Sequence, residues 1–157
     1  EPNLDKPLHS GTEINLHMPA LIPDEYLADV HLRLIMYKRI ANAADTHELR
    51  ELQVEMIDRF GLLPDAVKTL FRVTELRLLA TPMGVNKIDA SVDGARIIFD
   101  DAPNINTTQL IKMIQMQSRR YNFDGKKTLR ITDLLPDGDR ADSLEKVLDT
   151  LRNHVAA

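Results

Sequence analysis

The stretch that decides the fold reads Glu48-Leu-Arg-Glu-Leu-Gln-Val-Glu-Met-Ile-Asp-Arg-Phe-Gly-Leu-Leu-Pro-Asp65. Its apolar residues recur at helical spacing, which predicts an amphipathic helix that ends near Phe60. Gly61 follows the last of them, at the position where a left-handed residue commonly ends a helix. Pro64 suits the first turn of the next helix, because its φ is fixed and its missing N–H is not needed there. The stretch therefore predicts two helices joined by a tight corner.

Each of the first three helices is predicted to bury one apolar stripe. In the central helix the stripe is Leu49, Leu52, Met56 and Phe60. In the helix that follows, the stripe is Val67, Leu70, Phe71, Leu78 and Leu79. Upstream, Pro23-Asp-Glu is predicted to open a helix that runs to about Ala44, with the stripe Leu27, Val30, Leu34, Tyr37 and Ala41. Asp45 or Thr46 is the predicted N-cap of the central helix.

The second half of the chain alternates between strand and helix patterns. Strands are predicted at residues 13–17, 85–92, 95–99, 121–123 and 128–131. Asp93-Gly94 and Asp124-Gly125 are typical hairpin turns between neighbouring strands. A helix is expected to begin between Asn104 and Thr108, with Leu110, Ile111, Met113 and Ile114 inward. A last helix is expected to begin at Asp142, with Leu144, Val147, Leu148, Leu151 and Val155 inward.

This order of elements predicts an α+β fold. An N-terminal layer of three helices is followed by a β-β-α-β-β-α segment with an antiparallel sheet. Residues 1–11 lack periodicity and are predicted to be a linker from a preceding module, with residues 12–157 as a single domain. The length of 157 residues suits one compact domain, and the 43% hydrophobic content is enough for a core. We expect the domain to be a monomer.

Composition and motifs exclude several classes of function. The net charge of −4 argues against a general attraction to nucleic acid or to an anionic membrane, and no apolar run reaches membrane-spanning length. The absence of cysteine excludes disulfides and thiolate metal sites and is compatible with a cytoplasmic protein. No catalytic or phosphate-loop motif occurs, and the histidines lack metal-ligand spacing: His9, His17, His31, His47 and His154. We therefore expect a non-enzymatic domain without cofactor or metal.

One pattern of charge is unusual, and we call it the acidic ridge: Glu48, Glu51, Glu55 and Asp58. The spacing places all four carboxylates along one face of the central helix, and like charges at such spacing destabilise a helix. Arg59 lies four residues after Glu55 and can partly neutralise the ridge. The ridge is either a solvated helix face or a docking surface for a basic partner. A rival surface for nucleic acid would use Arg119, Arg120, Lys126 and Lys127.

Two blocks of this sequence resemble a known family. They are Glu55-Met-Ile-Asp-Arg-Phe-Gly-Leu-Leu-Pro-Asp65 and Tyr37-Lys-Arg-Ile40. Both are similar to the C-terminal domain of the bacterial transcription-repair coupling factors (Mfd proteins), with Tyr37, Phe60, Gly61 and Pro64 as structural motif residues. Members of that family are multi-domain, ATP-driven DNA translocases that push stalled RNA polymerase and recruit the excision-repair protein UvrA. The motor motifs of the family are not in this sequence.

The resemblance implies a regulatory function in transcription-coupled DNA repair. The C-terminal domain of such a factor is expected to pack against the UvrB-like N-terminal module and to hide the surface that UvrA binds. This autoinhibitory contact would be made by Glu48, Glu51, Glu55, Asp58 and Arg59. The domain would then meet UvrA and RNA polymerase only indirectly, without strong DNA binding of its own.

Overall fold

The structure is a computed structural model and describes residues 11–133 and 140–153. Its helices are α1 (Val30–Ala41), α2 (Thr46–Phe60), α3 (Asp65–Ala80), a 3₁₀ turn (Thr81–Met83), α4 (Thr107–Met116) and α5 (Arg140–Leu151). Its strands are β1 (Glu13–Asn15), β2 (Val85–Ser91), β3 (Gly94–Phe99), β4 (Tyr121–Asp124) and β5 (Thr128–Thr132). Three helices precede the β-β-α-β-β-α segment, which confirms the predicted α+β class. None of the described helices is both long and apolar enough to cross a membrane.

The described residues form two compact units. A helical unit comprises Met18–Leu78, and a sheet unit comprises Thr12–His17 together with the described residues from Leu79 onward. The assignment of residues 12–157 to one domain remains a prediction. Residues 1–10 of the predicted linker (residues 1–11), residues 134–139, and the C-terminal His154 and Val155 lie outside the described residues.

The helical unit is built around the stretch that joins α2 to α3. Leu49, Leu52 and Met56 of α2 are buried with Val67 and Phe71 of α3, as their spacing predicts. The cap prediction is also confirmed, since the Asp45 side chain accepts a hydrogen bond from the backbone N–H of Glu48. Gly61 ends α2 with a φ of 99° and a ψ of −174°, an extended conformation open mainly to glycine rather than the left-handed helical conformation that the sequence predicts. Local sequence signals therefore set this corner.

The sequence prediction for the first helix is wrong in both its start and its face. The helix begins at Val30 rather than at Pro23, because the Asp29 carboxylate accepts hydrogen bonds from two N–H groups of the first turn. Residues 24–26 form a turn instead. The expected inward residues Val30 and Leu34 are 68% and 46% exposed. Met36 and Ile40, four residues apart, are the buried residues of α1.

The sheet unit contains one five-stranded sheet in the order β1-β2-β3-β5-β4. Pairs among the last four strands are antiparallel, whereas β1 pairs parallel to β2 and makes the sheet mixed. Buried residues of β2, β3 and β5 alternate with outward-facing ones, which gives the sheet one core face and one exposed face. The buried guanidinium of Arg140 in α5 donates a hydrogen bond to the carbonyl oxygen of Leu16, just after β1.

Two details of the later helices differ from the sequence prediction. Ile111 of α4 is 53% exposed, while Leu110 and Met113 of the same helix are buried as expected. The final helix includes Arg140, so Asp142 lies in its first turn and is not the N-cap residue. The first error follows from assigning a helix face from apolar spacing alone, and the second from assigning a helix start from capping-box spacing alone.

Candidate functional site

The acidic ridge lies along α2, and the structure gives its four carboxylates different surroundings. Glu48 forms hydrogen bonds with neighbouring residues at the start of the helix. One of its carboxylate oxygens accepts a hydrogen bond from the backbone N–H of Ala44, at 2.6 Å, while the N–H of Glu48 itself bonds to Asp45. This reciprocal arrangement satisfies N–H groups at the positive end of the helix. Glu48 therefore stabilises the helix start and is only partly available to a partner.

Glu55 lies between two arginines and is the most strongly paired residue of the ridge. Arg39 of α1 donates from both terminal nitrogens to both Glu55 oxygens, at 2.7 and 2.8 Å. Arg59, one turn along α2, donates to Glu55 Oε2 at 2.9 Å. These hydrogen bonds, from Arg39 first and from Arg59 second, lower the pKa of the Glu55 carboxyl to about 2. We call these three residues the arginine–glutamate network.

The arginine–glutamate network has a structural and an electrostatic consequence. The two-pronged contact between Arg39 and Glu55 joins α1 to α2 and fixes the side-chain direction of Glu55. Two guanidinium groups around one carboxylate leave a local charge of +1 where the sequence pattern alone predicts a negative surface. Arg39 was not among the predicted site residues. It lies in the Tyr37–Ile40 block, but the pairing of two helices is not visible in the sequence.

Glu51 and Asp58 are the solvated carboxylates of the ridge. Glu51 lies 3.6 Å from the imidazole of His47, and both side chains are mostly exposed. Asp58 is exposed and makes no ion pair or side-chain hydrogen bond within the described part of the chain. Val54, between these residues on the helix surface, is 59% exposed. A shallow surface depression here is lined by His47, Arg50, Glu51, Val54, Glu55, Asp58 and Arg59, and we call it the α2 outer face.

The structural motif residues make contacts at the end of α2, at the start of α3 and within α1. The Tyr26 hydroxyl donates to the carbonyl oxygen of Gly61, at 2.8 Å, and its ring meets Phe60 edge-on, with 6.0 Å between centroids. The Arg59 guanidinium lies 4.9 Å from the centre of the Phe60 ring. Tyr37 accepts a hydrogen bond from the N–H of Ile22 at 2.7 Å. The Pro64 carbonyl oxygen accepts hydrogen bonds within the first turn of α3. The α2 outer face is therefore carried by a well-braced helix.

The four residues of the rival nucleic-acid surface do not form one cluster in the structure. Lys127 forms an ion pair with Asp101, and Lys126 is exposed in the turn between β4 and β5. Arg119 and Arg120 lie in the loop before β4 and line a different surface, together with Arg96 and Arg130. In residues 11–133 and 140–153, no cluster of three or more histidine, aspartate or glutamate side chains could hold a metal ion.

Comparison with known proteins first shows a shared fold and a matching family model. The crystal structure of a C-terminal domain of transcription-repair coupling factor superposes with a TM-score of 0.71, covering 92% of this chain and 98% of that one. Its sequence identity is 20%, so this likeness concerns the fold alone. The family model described as the TRCF domain matches residues 16–110.

Sequence relatives then give the family. The transcription-repair-coupling factor of Haemophilus influenzae is 46% identical over 99% of this chain, and that of Escherichia coli is 38% identical over 100%. The chain belongs to the transcription-repair coupling factor family, and the resemblance seen in the two sequence blocks is confirmed. It spans only 13% and 14% of the length of these two relatives.

Proposed function

We propose that this chain is a non-catalytic regulatory domain of a transcription-repair coupling factor, acting in transcription-coupled repair in the bacterial cytoplasm. In this proposal the α2 outer face packs against the UvrB-like module of the parent protein and masks the surface that UvrA binds. Membership of the coupling-factor family supports the proposed role in transcription-coupled repair. The geometry of α2 supports the choice of surface.

The observation that carries the proposal is the contrast between Glu55 and Asp58 on one helix face. The arginine–glutamate network fixes the Glu55 side chain and braces α2 against α1. Asp58 stands one turn away, exposed and without an ion-pair partner in the described part of the chain. A rigid helix that presents an unpaired carboxylate can bind a cation without first losing its own contacts. Exposed Val54 adds apolar area to the same face.

The chemistry of the face predicts the chemistry of its partner. Asp58 and Glu51 suit basic side chains on the UvrB-like module. The Arg39 and Arg59 guanidinium groups, which exceed the single charge of Glu55, suit an acidic or carbonyl group beside them. The complementary partner surface is therefore mixed in sign rather than uniformly basic, and this pattern fixes the orientation of docking.

The proposed regulation is a shift between closed and open populations of the parent protein. Contacts made only in the closed state favour that state, and about 3 kcal/mol of such contacts keeps roughly 99% of the molecules closed. Engagement of stalled RNA polymerase would then have to offset the same amount before UvrA gains access. UvrA and RNA polymerase are thus indirect partners in this proposal.

Asp58 is a better probe of this contact than Glu55. Changing Glu55 to lysine would place a third cation beside Arg39 and Arg59 and would break the ion pair that links α1 to α2. Loss of binding in such a variant could come from loss of structure. Asp58→Lys reverses a charge that holds no contact within the described residues, so the fold should be unaffected.

The experiment measures binding of the chain to the UvrB-like module of its parent by calorimetry. Asp58→Lys should weaken binding roughly 30-fold or more if the contact is desolvated, and less than about 5-fold if it lies at the rim. Glu25→Lys is the matched control, because Glu25 is an exposed carboxylate in the same unit, is not one of the residues of the α2 outer face, and has no ion pair of its own in the described residues. Equal affinities for the two variants would exclude Asp58 from the contact.

A further inference from the structure

The exposed face of the sheet carries a second charged surface, independent of α2. Four arginines line a concavity of about 410 Å³ within the sheet unit: Arg96, Arg119, Arg120 and Arg130. Ser118, Asn122 and Thr132 add polar groups to its wall. We call this concavity the arginine cleft. It contains none of the residues of the acidic ridge, so the proposed contact with the UvrB-like module does not use it.

Strand pairing places two of these arginines directly opposite one another. Arg96 on β3 and Arg130 on β5 are register partners in an antiparallel pair. Both side chains are exposed, because the residues that flank them in sequence, including Ile97 and Leu129, are buried on the other face. Like charges directly opposite each other destabilise a sheet. An anion bound between the two guanidinium groups would remove this repulsion.

The other two arginines come from the loop between α4 and β4. This loop is held against β5, since the Thr132 hydroxyl donates to the carbonyl oxygen of Arg119 at 2.7 Å. The N–H of Thr132 donates to the carbonyl oxygen of Arg120 at 2.9 Å. These two hydrogen bonds from Thr132 to backbone carbonyl oxygens fix the loop that carries Arg119 and Arg120 beside the Arg96–Arg130 pair.

Most of the guanidinium donors in the arginine cleft have weak acceptors or none. Arg130 meets Asp124 at 3.4 Å, and Arg96 meets Asp89 at 3.9 Å, both beyond the length of a strong charged hydrogen bond. Asp89 makes its short contact, 2.6 Å, with His17 instead. Arg119 forms no ion pair within the described residues. The Nε atom of Arg120 is buried without a hydrogen-bond partner among these residues, and its guanidinium group lies 5.6 Å from the centre of the Tyr121 ring. The cleft therefore retains unused donors for an anion.

We propose that the arginine cleft binds the phosphodiester backbone of a nucleic acid. A guanidinium group matches two phosphate oxygens in a planar fork, and two facing arginines can share one phosphate. The walls offer no aromatic side chain on which a base could stack, which leaves backbone contacts as the mode of binding. They also offer no large exposed apolar anchor of the kind that dominates protein–protein contacts.

The same residues set the strength and the selectivity of this binding. Asp89 and Asp93 line one side of the cleft and reduce its positive charge. Phosphate contacts carry no sequence information, so binding is independent of sequence. With few phosphate contacts and a net charge of −4 on the chain, the dissociation constant falls in the nonspecific range, about 10⁻⁴–10⁻⁶ M at physiological salt. Such a site adds weak contacts to a molecule that is already held near DNA.

The test is an anisotropy titration of a short fluorescent DNA duplex with the 157-residue chain at several salt concentrations. Arg96→Gln with Arg130→Gln should weaken binding about 10-fold and should lower the slope of log affinity against log salt by about 2. Lys68→Gln with Lys112→Gln is the matched control. It removes the same charge from exposed positions outside the cleft and should leave the slope unchanged.

Thermal melting of each variant shows whether a change in DNA binding comes from a change in folding. Because the Arg96–Arg130 repulsion is removed, the arginine double variant should melt at or above the wild-type temperature. If that variant is misfolded, Arg119→Gln alone, in the loop, should still weaken binding more than Lys112→Gln does. Equal effects of the arginine and lysine pairs would overturn the proposal. So would the absence of duplex binding at millimolar protein, or arginine-dependent binding of a polyglutamate peptide in place of DNA.

Discussion

The substitution Glu55→Gln tests the arginine–glutamate network most simply. It removes the charge of one side chain and keeps its shape, so Arg39 and Arg59 lose a carboxylate that accepts three short hydrogen bonds. A fall in pKa from the ordinary value for glutamate to about 2 corresponds to roughly 3 kcal/mol if taken at full value. The Glu55 side chain is 35% exposed, however, so solvent screening reduces the expected loss to about 1–2 kcal/mol.

The pH dependence of that loss distinguishes charge from packing. The pKa of Glu55 is lower in the folded chain than in the unfolded chain, so its contribution to stability is complete above the unfolded value. It disappears as the pH falls from about 5 to about 2. The difference in unfolding free energy between wild type and Glu55→Gln should therefore be largest near pH 7 and close to zero near pH 2.

Urea denaturation at several pH values measures this difference. Near neutral pH, Glu55→Gln should lower the melting temperature by about 2–8 °C. Glu51→Gln is the matched control on the same helix. Its only ion-pair neighbour in the described residues is the exposed His47 at 3.6 Å, so its loss should stay below about 0.5 kcal/mol. Equal losses in the two variants, or a loss for Glu55→Gln that does not change with pH, would refute this reasoning.

Three further outcomes are expected. Gly94→Ala should destabilise the chain by about 2–4 kcal/mol in urea unfolding, because the added methyl would overlap the carbonyl oxygen of Ile131. Gly61→Ala meets open space, so only backbone strain at its positive φ remains and the cost should be smaller, about 1–2 kcal/mol. The reverse order would contradict the strand register. Tyr26→Phe should lower the free energy of unfolding by about 1 kcal/mol, because the hydroxyl contacts to the carbonyl oxygens of Gly61 and Met56 are lost. An unchanged melting temperature in calorimetry would contradict a stabilising role for these contacts. A chelator should leave the melting curve unaltered and the purified chain should hydrolyse no nucleotide; hydrolysis that a point mutation in the chain abolishes would show that the domain is an enzyme.

The parts of the fold that the sequence predicts well depend on contacts between near neighbours. The cap at Asp45, the glycine at position 61 and the proline at position 64 act within a few residues and set α2 and α3 directly. The start of α1 was wrong although its signal is also local. Pro23-Asp-Glu and Asp29 both have the chemistry of a helix start, and in the structure the Asp29 carboxylate caps the first turn while residues 24–26 form a separate turn.

The parts that the sequence leaves open depend on contacts between distant residues. Spacing places Glu55 on a face with Asp58, but it cannot show that Arg39, sixteen residues away, occupies both Glu55 oxygens. The register that sets Arg96 opposite Arg130 is likewise a property of strand order, in which β3 pairs with β5 rather than with β4. A charge pattern therefore predicts a surface, and the tertiary structure determines which of its charges are available.

The most direct measurement of the central claim is the affinity of UvrA for the intact parent protein in the absence of RNA polymerase. Wild type, Asp58→Lys and Glu25→Lys should be compared after thermal melting shows that each is folded. If the α2 outer face masks the UvrA site, Asp58→Lys should raise UvrA affinity by roughly 10-fold or more, and Glu25→Lys should match wild type. An Asp58→Lys protein that is folded and binds UvrA as weakly as wild type would contradict the account and leave the acidic ridge a solvated helix face.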